Sequence, residues 1–169
     1  MTTTILPERA LLRHYLAALV YRTQKAVRGA PPTFGGFQAG NQARSPQDLV
    51  RHMTSVLGYA CTFFEGGTYR AELLPTMDDE MTRFHAIVAQ LAGHLGSGAP
   101  AEGISDAQLL QGPLADAMTH AGQIALLRRL AGSPIPPENF VYADITVDRL
   151  GPEQAAPVRP DSNWPERPR

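Results

Sequence analysis

The stretch DAMTHAGQIALLRRLAG, Asp116 to Gly132, decides the fold class. It holds no proline, and its apolar residues recur at helical rather than alternating spacing. Gly132 stops it, Pro134 lies just beyond, and Arg128 and Arg129 complement the negative end of a helix dipole. Upstream, Ser105-Asp106 is a start signal, so the spacing predicts one helix from there to Ala131. Gly112-Pro113 would kink its beginning.

Working back towards the N-terminus, three further segments read in the same way. Phe84, Ile87, Val88, Leu91 and Leu95 form a helical stripe between Pro75 and Leu95. A second stripe, Leu49, His52, Met53, Val56, Tyr59, Ala60 and Phe63, follows Ser45-Pro46. There the serine suits an N-cap, the proline a first helical position and Asp48 the first turn, and Gly66-Gly67 closes the segment. Leu11, Leu12, Tyr15, Leu16, Leu19 and Val20 define a first helix, from Pro7 to Arg28. The connection Pro31 to Arg44 is long for a compact domain, a length often associated with function. The β-branched stretch Phe140 to Val147 is a candidate extended segment. These elements specify an all-α, up-down-type four-helix bundle over residues 1–150, with an irregular Pro-rich tail over 151–169.

Bulk composition narrows the function. Hydrophobic residues at 43% and charged residues at 18% are ordinary for a globular chain, and 169 residues suit one core. A net charge of −1 gives no basic face for nucleic acid. No apolar run nears the roughly 20 residues that span a bilayer, so no membrane role is expected. A lone cysteine, Cys61, cannot form an internal disulfide, and the N-terminus lacks the blocks of a signal peptide, so a cytoplasmic location is expected. No phosphate-cradling Gly-rich loop, paired cysteines or nucleophile elbow is present.

Chemistry has to come from side chains. Asp116 and His120 stand four apart and share a helix face, a spacing that can chelate a divalent cation if a facing helix supplies a third ligand. Solvated surface roles explain the same pair. His52, inside the apolar stripe of the second helix, reads either as that third ligand or as a core histidine. Cys61 reads as a small buried residue, and His14, His85 and His94 as structural or surface groups without a chelating partner. Tyr15, Tyr59 and Phe63 at helical spacing read as core before site.

Two segments, Asp116 to Gly132 and Ser45-Pro46-Gln47-Asp48-Leu49-Val50-Arg51-His52, resemble the fourth and second helices of the DinB/YfiT-like superfamily. The first has the family's Gly-Gln and apolar run after a ligand histidine. The second resembles the helix start where another ligand histidine sits. The resemblance implies a metal held by three side chains, with His52 and His120 matching two of them. Asp116 stands where the family has its third histidine, a departure that either makes a two-histidine, one-carboxylate set or degrades the site. Gln123 is then a group that holds a ligand or a bound water. Also implied are zinc, nickel or iron as cofactor, thiol-dependent S-transfer or hydrolysis on a small electrophile, a low-molecular-weight thiol as partner, and a homodimer. The rival expectation is a non-catalytic bundle that binds a small ligand or protein around a degenerate site.

Overall fold

The computed structural model describes residues 6–158, and all of its regular structure is helical, with no strand among the described residues. The long helices are α1 (Pro7–Val27), α2 (Pro46–Glu65) and α3 (Met77–Ser97). The fourth helix begins as α4 (Asp106–Leu109), passes through a π-helical turn (Leu110–Leu114) and continues as α5 (Ala115–Leu130).

Side-chain caps set the starts. Ser45 Oγ accepts from Asp48 N at 3.1 Å, with Pro46 at the first helical position. Ser105 and Gln108 form a reciprocal capping box. Thr76 Oγ1 accepts from Asp79 N at 3.1 Å, so α3 starts two residues after the expected Pro75, which precedes the cap. Instead of a simple kink at Gly112-Pro113, the chain forms the π turn. Its wider loop accommodates a proline that cannot donate to the ladder, while Leu109 and Leu114 stay buried.

The helices run up, down, down, up. Arg9 lies 5.7 Å over the Phe64 ring, which sets the start of α1 beside the end of α2. The α2 and α3 starts are joined by Gln47 Nε2 donating to Leu74 O at 2.8 Å, and their ends by Glu65 with Gln90 and His94, so these two helices are parallel. The up-down expectation therefore fails between them. Residues 66–76 return along the side of α2 instead of turning sharply: Ala71 N donates to Ser55 Oγ at 3.1 Å, and Tyr69 packs on Gly58. The fourth helix is parallel to α1, with Arg9 bonded to Asp106 at one end and Arg128 donating to Ala26 O at the other. Leu16, Met53, Leu57, Phe84, Leu91 and Ile124, all fully buried, fill the space between the helices.

Phe140 to Val147 is not a strand. Asn139 accepts from Val141 N at 3.2 Å and sets a 3-10 turn, Phe140–Tyr142, which seats Phe140 edge-on to Tyr21. The tail crosses back to α1, where Arg28 Nη2 donates to Gln154 O at 2.7 Å. The tail has neither helix nor strand over residues 151–158, and residues 159–169 lie outside the described residues. No helix among the described residues is long and apolar enough to cross a membrane.

Candidate metal centre

Antiparallel packing of α2 on α5 brings His52 to the face that carries Asp116 and His120. The three residues offer ligand atoms all within 4.8 Å of one another. His120 Nε2 lies 3.3 Å from Asp116 Oδ1, and His52 Nε2 lies 3.5 Å from Asp116 Oδ2. The rings of His52 and His120 meet edge to face, their centroids 4.8 Å apart. Atoms bound about 2.1 Å from one ion at tetrahedral angles lie about 3.4 Å from each other. Each ring nitrogen meets a different carboxylate oxygen near that spacing, so the shorter aspartate does reach both rings, while the set as a whole, held within 4.8 Å, would draw together on an ion.

Burial is graded across the trio. His120 is only 8% exposed, His52 is half-buried and Asp116 is open to solvent. A bound ion would therefore be backed by protein on the His120 side and accessible past Asp116. Burial holds the pKa of His52 below its ordinary value, and the charges of Arg44 and His120 push it the same way against the opposing pull of Asp116. The ring is thus kept in the neutral form that ligates metals.

His120 carries the most telling detail. Its Nδ1 is 2.7 Å from Gln123 Oε1, an acceptor, so Nδ1 holds the proton. That leaves a lone pair on Nε2, which is buried, has no hydrogen-bond partner among the described residues and lies 3.3 Å from a carboxylate oxygen of Asp116. A lone pair set against an anion is repulsive until a cation stands between them. Gln123 is thus hydrogen-bonded to the His120 ring on the side away from Asp116, where it could hold the ring's tautomer and orientation.

No family model, no curated protein and no solved structure matches this chain.

The other singled-out residues fall elsewhere. Cys61 is 2% exposed, and burial, with a smaller push from Glu65, raises its thiol to about 12, so it is no nucleophile. Glu65 is engaged with His94, which also stacks on Phe64, at the far end of α2 from His52. His14 is exposed and His85 half-buried, and neither belongs to the cluster. Arg128 does more than complement a dipole: it is 4% exposed and donates to Ala26 O, Arg28 O and Ser133 O, tying two helix ends together. Tyr15 and Phe63 are half-buried, but Tyr59 is 54% exposed beside the site, contrary to the core expectation. Periodicity marks a stripe and not its edge, and Tyr59 sits on the edge. Arg44 and Arg70, which flank His52, escaped the sequence reading altogether. Both lie outside the helices, where no periodic pattern singles them out.

Proposed function

We propose that the protein is a metal-dependent enzyme that holds a divalent transition metal (zinc, nickel or iron) through His52, Asp116 and His120 and acts on a small electrophile, by thiol-dependent S-transfer or by hydrolysis. The observation that carries this reading is the orphaned, buried Nε2 of His120 lying 3.3 Å from a carboxylate oxygen, with Gln123 bonded to the other ring nitrogen. Three protein ligands leave a position for water or a thiol, and a divalent ion there lowers the pKa of either. His52 and His120 would supply neutral ring nitrogens. Asp116, open to solvent, would balance part of the cation charge at the mouth through which a substrate enters. The likeness of two helical segments to the DinB/YfiT-like superfamily supports the same assignment. That likeness alone underlies two companion proposals, a homodimer and a cytoplasmic location.

The competing reading is a ligand- or partner-binding bundle. It is favoured if the Gln123 amide is turned, since His120 Nε2 would then carry the proton and have no lone pair to offer a cation. Metal content separates the two. Untagged protein is analysed by plasma mass spectrometry beside His52→Ala, Asp116→Ala and His120→Ala. Near-stoichiometric metal, lost in all three variants, is expected. A chain that stays empty after incubation with zinc, nickel and iron in turn sinks the enzyme reading.

A further inference from the structure

The metal trio sits where two surface depressions meet. His52 closes the first, of about 220 Å3, together with Arg44, Arg51, Ser55, Arg70 and Glu72. Asp116 borders the second, a wider cleft of about 540 Å3 floored by Val56, Tyr59 and Pro113. Their junction is the His52–Asp116 contact of 3.5 Å. His52, Val56 and Tyr59 recur at i, i+4 and i+7 on α2, so one helix face runs from the first depression into the second.

The first depression has an excess of cations. Arg51 is committed to Asp48 at 2.8 Å. Arg44 and Arg70 have neither an ion pair nor a hydrogen bond among the described residues, and Glu72 is the one carboxylate in the lining. Guanidiniums gathered without counter-ions repel each other and offer planar forks suited to a carboxylate or phosphate. Both free arginines are placed by their neighbours. Arg44 follows a tight turn in which Ala43 N donates to Gly40 O at 3.0 Å and Asn41 and Gln42 are held at φ 51° and 59°. Such positive φ values are unfavourable for side-chain-bearing residues and persist where the surroundings demand them. Arg70 follows Tyr69, whose ring rests so close on Gly58 that a Cβ there would come within 2.1 Å of it.

The second depression differs in character. Tyr59 is 54% exposed, and its ring meets Phe63 edge-on at 4.9 Å. The π-helical turn supplies Gln111, Gly112 and Pro113 to the wall, and such turns recur at functional sites.

We infer that the substrate is a small amphiphilic anion, a carboxylate or phosphate ester held at its charged end by Arg44 and Arg70, with its apolar body lying past the trio against Tyr59 and Pro113. The inference rests on the metal-centre reading for what happens between the two ends, but the anion pocket can be tested separately.

Isothermal titration of the full chain, as purified and again after chelation, uses inorganic phosphate, phenyl phosphate, phenylacetate and phenol. Phenyl phosphate is expected to bind at least tenfold more tightly than phosphate, and phenol not measurably. The double variant Arg44→Gln/Arg70→Gln weakens phosphate and phenyl phosphate at least tenfold. Tyr59→Ala brings phenyl phosphate down to the level of phosphate and leaves phosphate unchanged. Phenylacetate against phenyl phosphate identifies the preferred head group. All three side chains are exposed, so folding is checked by thermal melts and expected to be unaffected. Anion affinity untouched by the double variant, or no binding of phenyl phosphate at millimolar concentration, overturns the inference. Stoichiometric metal with no arginine-dependent binding refutes the anion pocket alone, whereas arginine-dependent binding to a chain that takes no metal refutes the metal reading alone.

Discussion

Replacing Gln123 with leucine isolates the interaction on which the site depends. Gln123 Oε1 accepts from His120 Nδ1 at 2.7 Å and leaves the lone pair on Nε2, 3.3 Å from Asp116 Oδ1. Removing the partner behind a ligating histidine lowers metal affinity by about 10–100-fold in general. Gln123 is itself exposed, so water replaces part of the lost acceptor, and the lower figure, about tenfold or 1.4 kcal/mol, is expected. The consequence can be read as a melting temperature. Free zinc at 100 times the wild-type Kd adds about 2.7 kcal/mol of stability, and at the 10 times Kd that the variant then sees, about 1.4 kcal/mol. For a chain of this length each kcal/mol moves Tm by roughly 2–4 °C, so the zinc-induced rise should fall from about 5–11 °C to about 3–6 °C. Chelator competition measures the affinity directly, and Gln123→Glu, which keeps an acceptor at the same place, should retain it. The apo protein is melted alongside, so that any change in intrinsic stability is subtracted. An unaltered zinc-induced rise in Gln123→Leu would refute the tautomer argument.

Three further outcomes follow from the packing. Gly58→Ala sets a Cβ about 2.1 Å from the Tyr69 ring, which has to move; denaturant melts should show a loss of about 1–3 kcal/mol, and anion titration a weakening through the displaced Arg70. Glu138 is fully buried, accepting from Tyr21 Oη at 2.6 Å and pairing with Lys25 Nζ at 2.7 Å. Lys25→Met strands that carboxylate, so a loss of about 3–5 kcal/mol is expected in denaturant melts; a loss below about 1 kcal/mol contradicts the ion-pair account. Cys61 should resist iodoacetamide in the native protein and react only at the rate of unfolding, as mass spectrometry of timed samples would show; rapid native alkylation would contradict its burial.

The functional reading rests on two independent features. One is the nitrogen of His120 that has no partner among the described residues, and the other is the pair of arginines beside His52 that have no counter-ion among them. They lie on different elements and are probed by different ligands, so each can fail without the other.

Local chemistry was enough to determine the helices. Ser45-Pro46, Ser105-Asp106 and Gly132 mark ends through caps and forbidden conformations, which involve only near neighbours, and apolar stripes at helical spacing name the buried faces. The pairing of Asp116 with His120 was equally legible, because residues four apart on a helix share a face wherever the helix goes. What the sequence could not determine depends on direction and depth. Whether α2 and α3 run parallel turns on the return path of residues 66–76, held by the Ser55–Ala71 bond and the Tyr69–Gly58 contact, which join positions far apart in the chain. The same tertiary packing carries His52 to Asp116, buries Nε2 of His120 and gathers Arg44 and Arg70 from two connections into one depression. A loop arginine has no periodicity to betray it. Its neighbours are chosen by the packing of helices that it does not belong to, and only the folded chain shows where its charge is directed.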